Sequence, residues 1–516
     1  MNEPRGPLLR AGGCVRLPAE GTPQEATADD YGALPLSLPE GLEARPARLE
    51  KRALTVHDSW PWSLWYAGRA LVGDGRRLTL FDLTTDEQAP MTVDLRRPPP
   101  SAKDLPPDLE RQVSPLLGIR ALLPRAKLHL EQRWWSVRNA DDKIVVRILD
   151  QRWSERCRTL QVVALRGYEE DAEAVRAAAE AGWWSPEAPV LHALRDADLA
   201  PRPWSSKPSF TIAAEQPMSA ATAEYLQLIL QTARETEAGI IADHDIEFLH
   251  DYRVLVRRAR SVLKVLSGVF SPATTADLKE SFRTLGQETN LLRDLDVHLF
   301  EQNGQRARVP EWLTEDLDPL FSDLRARRDA EQRRLARKLR SRAYRELVHR
   351  LDIALATPEP GPAAQAEVHA FARQKLRKAM KRVLERGRSI TPETPDATVH
   401  ELRVDAKRLR YTVDLFKGAL NPDAAAALIK RLKKFQDVLG RFNDLSVQQD
   451  ALRAWVAERR DVPRETALAV GALIGGLRAE QAAVRRKVES SFQAFDHPDV
   501  KTQFDRMLAL DEEARG

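Results

Sequence analysis

The chain has 516 residues, of which 43% are hydrophobic and 30% charged, and its 80 basic and 76 acidic side chains leave a net charge of only +4. That length supports two or three domains, each with its own core. Two cysteines, Cys14 and Cys157, exclude a disulfide framework and a thiolate metal site. No run approaches the roughly 18 apolar residues of a membrane span, and the first residues lack the apolar core of a signal peptide. A cytoplasmic protein with no membrane partner is expected.

Residues 1–44 are rich in Pro, Gly, Ala and acids without a sustained period, which predicts a disordered leader. From 45 to 210 the pattern is that of an α+β domain. Two-residue alternation with β-branched and aromatic residues marks strands at 47–56, 76–83, 124–138, 142–150 and 156–167. Helical periodicity appears around 105–118 and at 169–183. Eight of the eleven tryptophans lie between 60 and 184, as suits a packed β core, for which a closed antiparallel barrel is one expected form. A Pro-rich linker at 197–210 ends the domain.

From 216 to 512 the sequence reads as an all-α domain of about eight helices, separated by proline-containing breaks at 271–272, 357–362, 391–395 and 421–422. One long helix is expected to run through 318–355. Two segments dominate this half, HDYRVLVRRARSVLKVL from His250 and HELRVDAKRLRYTVDLF from His400. Wound as helices, His250, Arg253, Arg257, Arg260 and Lys264 fall within an arc of roughly 80°, opposite Tyr252, Leu255, Val256, Ala259, Val262, Leu263 and Leu266. His400, Arg403, Lys407 and Arg410 repeat the basic stripe; Asp414, where the first copy has Lys264, departs from it. The same offset of 150 residues aligns RDLDV (293–297) with NDLSV (443–447). This internal repeat predicts two helical halves about a pseudo-two-fold axis, each a four-helix bundle.

Further basic rows are Arg327, Arg334, Lys338 and Arg345; Lys375, Lys378 and Arg382; and Lys430, Lys434 and Arg441. Residues 321–350 hold eleven Lys or Arg against four acids, and 371–390 hold eight against one. Like charges at helical spacing repel by a few tenths of a kcal/mol per pair, and stacking such rows around one cleft compounds the cost unless an anion fills it. A long polyanion fits, because arginine forks onto phosphate oxygens, lysine supplies a point charge, and histidine gains a proton beside an anion. Nucleic acid is the competing polyanion, but Tyr344 and Tyr411 are the main aromatics near the stripes for base stacking. A metal site on the histidines is opposed by arginine three residues on, and no nucleophile pattern lies nearby.

The motifs HxxRVxxRRxR (250–260) and HxxRVxxKRxRY (400–411), with RDLDV and NDLSV, resemble the CHAD domain family over 216–512. The resemblance implies two four-helix bundles around a basic channel that binds inorganic polyphosphate, other polyanions being weaker candidates, and association with polyphosphate granules in a bacterial cytoplasm. It implies no cofactor and leaves the oligomeric state open. Residues 45–210 resemble a degenerate CYTH domain, the tunnel-shaped barrel of triphosphate-processing metalloenzymes, with SSKPSF (205–210) as its closing segment. That family's ExExK strand holds a divalent metal with alternate carboxylates. Here the match supplies Glu50 alone, and Gln161 and Val163 stand where further carboxylates belong. The expectation is therefore a non-catalytic protein, with a metal-dependent triphosphatase and a nucleic-acid-binding protein as the alternatives.

Overall fold

A computed structural model of the chain describes residues 14–16, 33–83, 91–94, 102–155, 157–180, 188–199, 201–209 and 216–509. Two compact units result, Met1–Ser205 and Ser206–Gly516.

The first unit is a nine-stranded antiparallel sheet: β1 (Cys14–Arg16), β2 (Glu43–Pro46), β3 (Glu50–Asp58), β4 (Arg69–Gly73), β5 (Arg77–Asp82), β6 (Met91–Asp94), β7 (Leu123–Arg138), β8 (Ile144–Ser154) and β9 (Cys157–Ala164). The strand order is β1-β9-β8-β7-β3-β4-β5-β6, with β2 paired to β7. The sheet is a curled half-barrel, antiparallel as expected, and among the described residues β1 and β6 do not pair with each other. Helices α1 (Ser63–Tyr66), α2 (Pro107–Leu117), α3 (Glu169–Glu180) and α4 (Pro189–Asp196) pack on it. The end of the helix predicted at 169–183 lies outside the described residues.

Alternation along the strands builds separate cores. Trp135, Val137, Ile148, Leu160 and Val162 meet Ala172 and Val175 of α3, while Leu54, Val56, Leu128, Leu130 and Trp153 meet Val190 and Leu194 of α4. Most of the predicted leader lies outside the described residues. Of its described parts, Cys14–Arg16 pair with β9, and Leu34, Leu36, Leu38 and Leu42 pack against the core under α3, which removes apolar surface from water.

The second unit is all helical, with thirteen α-helices among the described residues rather than eight: α5 (Met218–Glu235), α6 (Glu237–Ala242), α7 (Ile246–Val265), α8 (Pro272–Gln287), α9 (Asn290–Phe300), α10 (Gln302–Arg306), α11 (Asp318–Leu339), α12 (Arg342–Ala356), α13 (Val368–Arg388), α14 (Asp396–Phe416), α15 (Pro422–Ala457), α16 (Arg464–Phe495) and α17 (Pro498–Leu508). Caps set several starts: Asp245 accepts from the amides of Glu247 and Phe248 to open α7, and Asn421 with Pro422 opens α15. The long helix expected over 318–355 is two. Ser341 Oγ accepts from the Tyr344 amide and starts α12 afresh after α11 ends at Leu339.

The 150-residue offset holds beyond the stretch where identities repeat. It carries α5 onto α13, α7 onto α14, α8–α9 onto the single long α15, α11 onto α16 and α12 onto α17. α7 packs on α5 and α8, α14 packs on α13 and α15, and α7 and α14 pack on each other. Each half therefore has five corresponding helical segments, against the four expected. α16 is the one described helix long and apolar enough by composition to cross a membrane, an exception to the sequence reading. Its Ala469, Val470, Leu473 and Leu477 pack in a core with Leu317, Phe321 and Trp455.

Candidate anion-binding site

α7 and α14 direct their apolar stripes inward: Tyr252, Leu255, Val256, Ala259, Leu263 and Leu402, Ala406, Leu409, Val413, Phe416 are all buried. That fixes the basic stripes on the other side of each helix. Arg253 donates to Gly286 O at 3.3 Å, Thr289 Oγ1 at 2.8 Å and Asn290 Oδ1 at 2.7 Å, which ties it to the α8–α9 junction. Its repeat mate Arg403 lies 3.6 Å from Asp444, and Asp294, the mate of Asp444, bears on Arg253 in the same way. Each half thus sets the aspartate of its DL motif beside the first arginine of its stripe. His400 Nδ1 is hydrogen-bonded to Asn443 Oδ1; its mate His250 is partly buried at the start of α7.

The stripes of the two halves converge. Arg257, exposed on α7, acts electrostatically on Arg403 and Lys407 of α14. Burial, followed by the charges of Arg403, Arg257 and Arg410, holds the Lys407 ammonium down at about 8, with Asp444 offsetting part of the effect. Burial also lowers Arg253 and Arg403. Arg410 donates to Gln436 Oε1 at 2.8 Å, lies 3.5 Å from Asp414 and rests on the Tyr411 ring. Arg260 is exposed beside Gly286.

The remaining predicted residues divide. Lys264 of α7 lies near Arg382 of α13, which is 4.0 Å from the buried Asp405. Lys375 donates to Ser267 Oγ at 3.0 Å over the Phe371 ring, and Lys378 is exposed beside it. Lys430 and Lys434 are exposed on α15. Four others are engaged in ion pairs with the protein's own carboxylates. Arg327 meets Glu458 at 3.6 Å; Arg334 bonds Glu331 and Glu288; Lys338 meets Glu288 at 3.2 Å; and Arg441 clamps Glu480 together with Arg308. The row Arg327–Arg334–Lys338–Arg345 is not one face, because Arg345 belongs to α12.

Sequence reasoning passed over Asp405, Arg386 and Arg408, which form one cluster, and Lys279 beside it. A signal was present for Asp405: it falls on the apolar arc of α14, where a carboxylate requires partners. In the first unit, Glu50 of β3 accepts from Gln132 at 2.9 Å and lies 3.4 Å from Arg52, and Gln151 donates to Gln132 at 3.2 Å. That row offers one carboxylate among amides. Among the described residues no three His, Cys, Asp or Glu side chains are placed to share a metal ion.

The geometry is that of a helical domain with an internal two-fold repeat and a seam of converging cations. Residues 224–453, within the helical unit, match the family model of the CHAD domain. The half-barrel of the first unit is compatible with a CYTH-like domain. Among solved structures, the chain is similar to the CHAD domain from the plant Ricinus communis, at 26% identity over 56% of this chain and 96% of that one, with a TM-score of 0.47. It is also similar to PptA from Streptomyces chartreusis, at 16% identity over 54% and 100% of the two chains, TM-score 0.43. No curated protein matches the sequence.

Proposed function

We propose that the helical unit binds inorganic polyphosphate along the α7–α14 seam and that the protein associates with polyphosphate granules in the cytoplasm without catalysing a reaction. The observation that carries this reading is the placement of Arg257 from one half beside Arg403 and Lys407 from the other, with Asp444 the carboxylate that offsets them. A polyanion supplies the missing negative charge through many equivalent phosphates. The CHAD match supports a polyphosphate-related role in general. Nucleic acid fits less well: Tyr344 is buried, donating to Glu237 and sharing a hydrogen bond with Tyr252, which removes one of the two aromatics available for base stacking.

Titration of the full-length protein with long-chain polyphosphate and with RNA, at matched charge and several salt concentrations, tests the proposal. The expected result is tight, salt-sensitive polyphosphate binding and displacement of RNA by polyphosphate. RNA binding that polyphosphate fails to displace refutes it. The non-catalytic part is tested by incubation with tripolyphosphate and Mg²⁺ or Mn²⁺; metal-dependent phosphate release abolished by Glu50→Gln would establish a triphosphatase instead.

A further inference from the structure

Away from the central cluster, a second group of cations gathers at one end of the same seam. Arg382 and Arg386 of α13 and Arg408 of α14 lie 4.0, 2.9 and 3.8 Å from the buried carboxylate of Asp405. At those distances Arg382 and Arg408 are beyond hydrogen bonding to Asp405, so their donors are not engaged by it. Exposed Lys264 of α7 and Lys279 of α8 adjoin them, and the charges acting on Lys264 are Arg408, Arg382 and Lys279 against Asp405 alone. Arg386 also reaches Glu401. Five cations from four helices thus face two carboxylates.

The pseudo-symmetric position is different. There the mate of Lys264 is Asp414, which lies 3.5 Å from Arg410, and the mate of Arg408 is Arg258, which donates to the Tyr225 hydroxyl at 2.8 Å. Thr232 stands in place of Arg382 and bonds back to Leu228 O, and buried Leu255 stands in place of Asp405. A repeat that keeps its central cations has lost the cluster at one end only.

We infer that Lys264, Lys279, Arg382 and Arg408 form a second phosphate-binding subsite, so that a polyphosphate chain crosses the central cluster and extends in one direction, toward α8 and α13. The inference rests on the polyphosphate reading above. Along α7, Lys264 is seven residues from Arg257, about 10 Å at the helical rise. Pyrophosphate seated on the central cluster does not reach that far; a chain of many phosphates does.

The test compares pyrophosphate and long-chain polyphosphate on the full-length protein by calorimetric titration. Lys264→Glu with Lys279→Glu changes two exposed side chains outside the core, and Lys487→Glu with Lys501→Glu makes the same charge change on exposed positions of α16 and α17. In the first variant long-chain affinity is expected to fall at least tenfold, with a shallower salt dependence by roughly two ions, while pyrophosphate affinity stays within twofold. The control variant should lose much less. Equal loss for both ligands, or a long-chain loss no greater than the control's, overturns the subsite. Failure of the unmodified protein to bind polyphosphate at all removes the proposed function, and the subsite with it.

Discussion

Lys407 gives the most direct test of whether the seam is built for an anion. Burial and the neighbouring Arg403, Arg257 and Arg410 hold its ammonium near 8, against Asp444. In the free protein Lys407 is then roughly nine-tenths charged at pH 7 and about one-tenth charged at pH 9. A bound phosphate favours the ammonium and returns the group toward its ordinary value, so binding takes up a proton above pH 8. Through this one residue, affinity for polyphosphate should fall about tenfold between pH 7 and pH 9. Lys407→Arg keeps its charge throughout that range, so its affinity should change far less. Calorimetric titrations at pH 7, 8 and 9 measure the difference. Near pH 8.5, repeating them in two buffers of different ionisation enthalpy should reveal uptake of somewhat under one proton by the wild-type protein and little by the variant. Stability runs in the opposite sense. Because the folded value lies below the unfolded one, the unfolded chain holds more protons between about 8 and 10.4, and stability rises with pH across that window. Lys407→Met should therefore melt above wild type at pH 7, with the gap closing above pH 10. Identical pH profiles for wild type and Lys407→Arg would refute the reasoning.

Other positions separate cations that bind a ligand from groups that hold the fold. Arg257→Glu should weaken polyphosphate binding yet leave the melting temperature equal or higher, since it relieves repulsion with Arg403 and Lys407. Arg253→Ala should cost about 1–3 kcal/mol in urea unfolding, because three acceptors lose their donor. In the first unit, Asp150→Asn should cost about 3 kcal/mol, followed by tryptophan fluorescence, because buried Asp150 accepts two bonds from Arg158 and one from Trp135. Gly239→Ala should destabilise the helical unit by about 1–3 kcal/mol, as an added Cβ would sit 2.1 Å from the Phe248 ring; an unchanged urea midpoint would mean that α6 and α7 separate easily.

α7 and α14 were legible in the sequence because a helical period sorts apolar from basic residues over twenty positions, and Asp245 marks one start with its own side chain. The break between α11 and α12 was not, because a cap rests on one oxygen, Ser341 Oγ, and the residues flanking it stay in phase across the break. The wider repeat escaped notice for a different reason. α5 and α13 correspond in which positions they bury rather than in which residues fill them, because a core keeps its apolar pattern while accepting different residues of suitable volume. The short strands β2, β4 and β6 are four or five residues each, too brief for alternation to stand out. Whether the half-barrel closes depends on pairing between its first and last strands, which no local pattern encodes.

For the site, the sequence disclosed which residues are cationic but not which are neutralised. Arg334 meets Glu288 forty-six positions away, and Arg441 meets Glu480 thirty-nine away, so neither pairing shows in a helical wheel. The structure separates two kinds of cation by the direction in which their environment moves them. Arg328, bonded to Asp243 and Asp296, and Arg334, bonded to Glu331 and Glu288, are raised, since their charged forms are favoured by the protein's own carboxylates. Arg253, Arg403, Lys407, Lys264 and Arg408 are all lowered, because burial and their mutual repulsion outweigh the acids within reach. In the first kind the fold has supplied a full counter-charge; in the second the carboxylates it supplies do not offset burial and repulsion. Two stripes that carry the second kind, brought together by an internal repeat, are what the proposed polyphosphate reading requires: an anion seated there would relieve the repulsion, and that relief would add to its binding free energy.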